Sequence, residues 1–277
     1  MRSSQLTYAD PDDPLWKRLL IDGIERATGR QQIESLYNGV MAHDSPMSAK
    51  WAMALEGLRI TVQLDRERLA GVPKSGPVIV IANHPFGVVD GLVLLDVLAG
   101  LRPDYALLVN AVLCREPRLD PFFLPVSFEE TPEAIRTNVE TRRQAMARLK
   151  NGEALGIFPA GGVATAHGGR GPACDLEWKR FVAKLIHVTK APVVPLYFEG
   201  QNSRTFQVVS QVSQTLRLAM LLHEVRNKSG RTLEVHVGEP MTSAELDGIH
   251  RKDLMQHLWQ VTHALGGQND VSPYIFR

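Results

Sequence analysis

This 277-residue chain predicts an α/β fold: a mostly parallel central sheet flanked by helices, with an N-terminal helical layer. Three observations carry that reading. Short apolar and β-branched runs recur at 60–64, 78–82, 105–110, 193–198 and 232–237. Segments of helical periodicity separate most of them, and strands that alternate with helices build parallel sheets. The first 58 residues show helical spacing and no strand pattern. We therefore divide the chain into a helical layer over 1–58 and an α/β domain over 59–277. No repeat or low-complexity linker interrupts it.

Residues 1–13 read as an irregular start, close to Pro11 and Pro14. Leu15, Trp16, Leu19, Leu20, Ile24 and Ala27 then follow helical spacing, and Gly29 closes that helix. A second helix is expected over about 31–41 and a third over about 48–58. Two roles fit this layer: packing on the core, or resting Trp16 and the leucines in a lipid interface. Ile60 to Leu64 alternates as a strand does, and Gly71 to Pro77 is a loop. Val78 to Ala82 is a buried strand between Gly76-Pro77 and Asn83, followed by a helix through Leu92, Leu94, Leu95, Val97 and Leu98. Strands follow at Tyr105–Asn110 and Leu124–Phe128. Thr131-Pro132-Glu133 opens a helix, with a cap, a first-turn proline and an acid at the dipole. Its expected buried face is Ile135, Val139, Met146 and Leu149, and Asn151-Gly152 stops it. Ala154–Phe158 is a strand, Trp178–Thr189 a helix, and Val193–Phe198 and Thr232–Val237 are strands. A helix over about 243–265 closes the domain. No element is assigned to 205–231.

The chemistry-bearing residues gather where 78–82 hands over to a helix. In α/β folds, sites collect beyond the C-terminal ends of strands. His84 and Asp90 are six residues apart, a spacing that puts two side chains on different faces of one regular helix. Contact needs His84 in the loop, looking back over the turn that carries Asp90. Pro85 suits a first turn and Gly87 can bend the connection. A carboxylate on imidazole fixes its tautomer and leaves the other ring nitrogen free as a general base. The bland alternative is a helix cap, with Asn83 or His84 capping and Asp90 at the positive end of the helix. A second candidate is the loop after Phe158, Pro159-Ala-Gly-Gly-Val-Ala-Thr-Ala-His-Gly-Gly-Arg-Gly, with five glycines between 161 and 171. Such a loop can present backbone N–H groups to an anion or an oxyanion, or can be plain flexible surface.

Asn-His, a spacer and Asp-Gly after an apolar strand resemble the first motif of the glycerolipid acyltransferases, which act on glycerol phosphate and lysolipids. The spacer here is five residues, Pro85 to Val89, where that family usually has four. The longer Asn-His-Pro-Phe-Gly form is similar to a branch labelled hemolysin and, near it, the lyso-aminolipid O-acyltransferases. The resemblance covers roughly 70–240. It implies His84 as catalytic base and Asp90 as its orienter, with Asn83, Phe86 and Gly87 beside them as expected substrate contacts. Phe158-Pro159-x-Gly161 resembles the family's Phe-Pro-Glu-Gly-Thr-Arg-Ser motif, with Gly162 where the branch usually keeps a Glu, and Phe158, Pro159, Gly161 and Gly162 are expected to contact substrate. There the family's Glu and Arg are assigned to the acceptor's glycerol phosphate. Here Ala160 and Val163 stand at those places. Ala191 to Leu196 is similar to a further apolar-proline strand, with Glu199 just beyond it. Arg170 and Glu199 are the expected contacts for an acceptor headgroup. The family's intermediate Gly-x-x-Phe-Ile-Asp-Arg motif is not recognisable, and Leu124 to Phe128 occupies its place.

Composition removes other classes. A net charge of +1 gives no field for nucleic acid. Two cysteines, Cys114 and Cys174, form no metal spacing and no disulfide framework. No signal core opens the chain, and no apolar run approaches the roughly 20 residues that span a bilayer. The expectation is an acyltransferase without cofactor or metal, placed peripherally on the cytoplasmic face of the cell membrane. It would move a fatty acyl chain from acyl carrier protein or coenzyme A to the hydroxyl of a lyso-aminolipid such as lyso-ornithine lipid. The alternatives are 1-acyl-glycerol-3-phosphate acylation and a non-enzymatic lipid-binding, hemolysin-like protein. A hydrolase using His84 on water is a further rival.

Overall fold

The computed structural model describes residues 14–27, 29–114 and 116–267; the irregular start expected over 1–13 lies outside them. Three helices come first: α1 (Leu15–Ala27), α2 (Arg30–Ala42) and α3 (Met47–Gly57). β1 (Thr61–Leu64) and the short α4 (Arg66–Ala70) follow. β2 (Val78–Ala82) leads into α5 (Val88–Leu101), β3 (Tyr105–Asn110), β4 (Phe123–Val126), α6 (Pro132–Lys150) and β5 (Ala154–Ile157). A hairpin of β6 (Thr165–Ala166) and β7 (Ala173–Cys174) precedes α7 (Phe181–Thr189) and β8 (Val193–Phe198). α8 (Arg204–Val212), α9 (Gln214–Lys228), β9 (Thr232–Val237), α10 (Ser243–Asp247) and α11 (Leu254–Ala264) complete the order.

Seven strands form one sheet in the order β1-β9-β8-β2-β5-β3-β4. Every neighbouring pair is parallel except β8 and β9. β2 lies at the centre and is buried along its whole length. Its side chains alternate as a strand dictates. Val78, Val80 and Ala82 enter the core under α3 and α5, and Ile79 and Ile81 enter the core under α6, α7 and α11. α5 presses close to the sheet: a Cβ on Gly156 of β5 would stand 2.8 Å from the side chains of both Leu98 and Leu107. That packing fixes the direction in which α5 leaves β2, and so the turn between them.

Several expectations need correction. Ile135 and Val139 of α6 are 62% and 58% exposed, while Ala134, Thr141, Ala145 and Leu149 face inward. Polar residues set this rotation. β4 is an edge strand with free backbone groups, and α6 satisfies them. Thr141 Oγ1 donates to the Pro125 carbonyl, and Asn138 both accepts from Ser127 N–H and donates to its carbonyl. α7 starts at Phe181 rather than Trp178, because the preceding residues are tied as a loop. Trp178 Nε1 donates to Asp175 and Lys179 N–H donates to the Pro159 carbonyl. The closing helix is two helices, with α10 ended at Gly248 and a turn before α11. The unassigned stretch holds α8 and α9. The N-terminal layer divides its roles: α3 joins the core through Trp51 and Leu55, whereas α1 leaves Leu15, Trp16 and Leu19 68%, 68% and 62% exposed.

Candidate active site

β2 ends at Ala82, and Asn83 turns the chain out of the sheet while staying bound to it. Asn83 Nδ2 donates to the Phe198 carbonyl at 2.9 Å and Asn83 Oδ1 accepts from Phe198 N–H at 2.7 Å. The side chain thus continues the β2–β8 pairing one residue past the strand. Pro85 and Phe86 follow, and Gly87 adopts φ +91°, ψ −114°, which is open to glycine and strained for other residues. α5 begins at Val88, placing Asp90 in its first turn.

In this turn His84 Nδ1 lies 2.9 Å from Asp90 Oδ2. The same oxygen accepts the N–H of Phe86 at 2.8 Å and of Gly87 at 2.9 Å. Asp90 is fully buried and Oδ1 has no partner among the described residues. Capping and orientation therefore coexist, since one carboxylate oxygen caps α5 and holds the imidazole. With Nδ1–H donated to Asp90, Nε2 is left with its lone pair. Phe158 stacks on the ring of His84 at 4.0 Å and 20°, which restrains its other degree of freedom.

Residues outside the expected site hold this turn from behind. Asp175 Oδ1 accepts His84 N–H at 3.0 Å and its Oδ2 accepts Trp178 Nε1–H at 2.9 Å. Burial pushes the Asp175 carboxyl above its ordinary range, against the pull of His263 and of both donors. Asn202 Nδ2 donates to the Phe86 carbonyl at 3.3 Å. Lys228 lies 4.6 Å from the centre of the Phe86 ring and donates to the Gln201 carbonyl; burial lowers its pKa, and the charges of Glu224 and Asp90 oppose that shift.

The glycine loop closes the other side. Ala164 N–H donates to the His84 carbonyl at 2.7 Å, and a Cβ on Gly87 would meet Val163 Cγ2 at 3.1 Å and Leu221 Cδ2 at 2.9 Å. Pro159 is buried, and Gly161 takes φ +70° with the Phe128 ring alongside. The Gly161 N–H is committed to the Phe158 carbonyl, whereas the N–H groups of Gly162 and Val163 have no partner among the described residues. These two donors can receive an oxyanion. Ala160 and Val163 are both buried. Arg217 of α9 donates to the Val163 carbonyl instead.

The structure thus brings His84, Asp90, Asn83, Phe86, Gly87, Phe158, Pro159, Gly161 and Gly162 together in one connected set of contacts. Arg170 and Glu199 do not join it. Arg170 is exposed, in a loop whose Gly169 packs against Val208 of α8. The Glu199 carboxylate accepts from His236 Nε2 at 3.1 Å. Glu199, Glu234 and His236 are the one set among the described residues whose ligand atoms approach closely enough to hold a metal ion, and their carboxylates are exposed to water. An apolar cavity of about 160 Å³ lies between α2, α3, α5 and α9, bounded by Val88, Leu92 and Leu222 among others. Of the missed residues, only those of α9 had a readable signal, its apolar spacing at Leu218, Leu221, Leu222 and Val225.

Residues 57–263 match the family model described as acyltransferase. Two curated relatives are similar to the chain. One is a lyso-glycine lipid O-acyltransferase of Phocaeicola vulgatus, 28% identical over 193 residues. The other is the protein of the same description from Bacteroides thetaiotaomicron, 29% identical over 191 residues. Each match covers 66% of this chain, and it spans 65% and 67% of the two relatives' own length. Among solved structures, the 1-acyl-sn-glycerophosphate acyltransferase PlsC of Thermotoga maritima shares 16% identity at a TM-score of 0.47, over 92% of this chain and 97% of that one.

Proposed function

This chain belongs to the acyltransferase family, and from that membership we propose that it is a lysolipid O-acyltransferase acting on a lyso-aminolipid. The observation that carries the reading is the His84–Asp90 pair, 2.9 Å apart, with Asp90 immobilised by two backbone N–H groups. His84 Nε2 takes the proton of the acceptor hydroxyl as its oxygen attacks the thioester carbonyl of acyl carrier protein or coenzyme A. The C–O bond forms, the C–S bond breaks, and the proton passes from His84 to the leaving thiolate. The N–H groups of Gly162 and Val163 receive the charge on the carbonyl oxygen. The apolar cavity beside Val88, two residues from Asp90, takes part of an acyl chain.

Two things support an aminolipid acceptor. Both curated relatives are named for a lyso-glycine lipid. The positions at which resemblance would put a phosphate-binding Glu and Arg are the buried, apolar Ala160 and Val163. The protein works at the cytoplasmic face of the membrane, attached peripherally. No described helix is long and apolar enough to cross a bilayer, and α1 offers an apolar outer face.

The test gives purified enzyme equal amounts of lyso-glycine lipid, lyso-ornithine lipid and lysophosphatidic acid, with the same acyl donor. Faster ester formation on the aminolipids is expected. Preference for lysophosphatidic acid would replace the acceptor. Release of free fatty acid without ester formation would replace transfer by hydrolysis.

A further inference from the structure

We propose that Arg217 is the anion-recognising residue of the acceptor subsite and holds the headgroup carboxylate of the lyso-aminolipid. This rests on the acceptor class proposed above. An amino acid acylated on its nitrogen keeps its carboxylate, so every acceptor of this class carries one.

Arg217 is placed by α9. Leu221, four residues on and so on the same helix face, meets the turn at Gly87, where an added Cβ would stand 2.9 Å from it. Arg217 lies one helical turn earlier, about 6 Å along the axis. Its Nη2 donates to the Val163 carbonyl and lies 3.6 Å from where a Cβ on Gly162 would stand. The next residue of that loop, Ala164, is bonded to the His84 carbonyl. The guanidinium therefore sits against the same short loop that backs the catalytic turn.

Its charge is unanswered. Among the described residues Arg217 forms no ion pair, and the Val163 carbonyl is the single hydrogen-bond partner of its guanidinium. The buried arginines have carboxylates: Arg30 has Asp22 and Glu25, and Arg102 has Asp104. Burial pushes the Arg217 pKa down and no acidic neighbour pushes it back. A half-desolvated cation without a counter-ion is costly, and an anionic ligand removes that cost. The planar fork has five donors and only one is used, leaving a pair free for the two oxygens of a carboxylate. Gly162 leaves the approach to this fork open, since any side chain there would compete with it and with Leu176 Cδ1 at 3.0 Å. Thus the charge absent from positions 160 and 163 of the loop enters from a different helix.

The experiment measures KM and kcat with lyso-glycine lipid and with its methyl ester, at several concentrations of a fixed acyl donor. For the unaltered enzyme the acid should show a KM lower than the ester by roughly 10–100-fold, the range of charge-assisted hydrogen bonds. In Arg217→Gln, which retains a donor for the Val163 carbonyl, that ratio should collapse to within about threefold. Arg217→Lys should recover part of it, because it keeps the charge and loses the fork. Equal losses on acid and ester would make Arg217 a prop for the loop and overturn the proposal. A rise confined to the KM of the donor would assign it to the donor and do the same. The acid–ester comparison in the unaltered enzyme needs no variant to fold, and equal KM values there also overturn it. Should the unaltered enzyme instead prefer lysophosphatidic acid, the acceptor class fails first, and the carboxylate assignment falls with it.

Discussion

Asp90 Oδ2 meets His84 Nδ1 at 2.9 Å although a separation of six residues would put the two on different faces of one regular helix. Gly87 resolves the conflict. Its φ of +91° reverses the chain between Pro85 and Val88, so the ring folds back over the first turn of α5. One oxygen then serves the imidazole and two backbone donors, which makes the orientation of His84 a property of the helix cap.

The two residues should therefore fail differently. His84→Ala should lower kcat by about 10²–10⁴-fold with little change in Tm. Asp90→Ala should lower kcat and also stability, because the N–H groups of Phe86 and Gly87 lose their acceptor in a buried site, at about 1–3 kcal/mol each. Activity assays with thermal melts distinguish them. A His84→Ala protein with wild-type turnover would remove His84 from the mechanism.

Glycine substitutions give an internal contrast. Gly87→Ala should cost about 1–3 kcal/mol through backbone strain alone, before its Cβ meets Leu221 and Val163. Gly100→Ala, inside α5 with nothing within 4 Å, should stabilise by about 0.5–1 kcal/mol. Chemical denaturation of both variants measures this. Equal effects would mean that the turn at Gly87 relaxes freely.

The strand–turn–helix at 78–90 was legible because local chemistry specifies it: an apolar run, a proline and a glycine, with a carboxylate at the helix start. The rotation of α6 was not. Ile135 and Val139 look like an inward face until Asn138 and Thr141 are seen to bind the backbone of the β4 edge. Asp175 was likewise invisible, since its role is to accept a backbone N–H of a residue 91 positions away. Arg217 needed the helix axis of α9 and the place of Val163 together. Contacts of this kind depend on where elements meet, and no local pattern encodes them.

Stability should fall on mild acidification. Burial holds the His263 pKa below its ordinary 6.5, with the attraction of Asp175 acting the other way. The unfolded chain then binds a proton near pH 6.5 that the folded one refuses, so stability present above that pH is lost as pH falls toward the folded pKa. Melting temperatures measured from about pH 7.5 to about 5.5 should decline, and His263→Gln should flatten that slope. An unchanged slope in the variant would assign the decline to other groups.

The cavity predicts chain-length selection. Leu222 lines it from α9, and Leu222→Trp should fill it and shift preference toward shorter acyl donors. Competition between acyl donors of graded length reads the shift, and an unchanged profile would place the acyl chain elsewhere.

The last prediction concerns the membrane. Leu15 and Leu19, and Trp16 and Leu20, pair at a spacing of four, which lines them along one face of α1. The other face buries Ile21 and Glu25, whose carboxylate pairs with Arg30 at 3.0 Å. The helix is thus anchored through one side and leaves an aromatic and three leucines in water. Each such side chain gains about 1.5–3 kcal/mol when fully withdrawn from water, and an indole suits the boundary between headgroups and acyl chains. Attachment should therefore be chiefly apolar and persist at high salt, given a net charge of only +1. Leu15→Ser, Trp16→Ala and Leu19→Ser combined should abolish co-sedimentation with phospholipid vesicles, while turnover of a detergent-dispersed acceptor persists. Undiminished sedimentation of the triple variant would move the membrane contact to another surface.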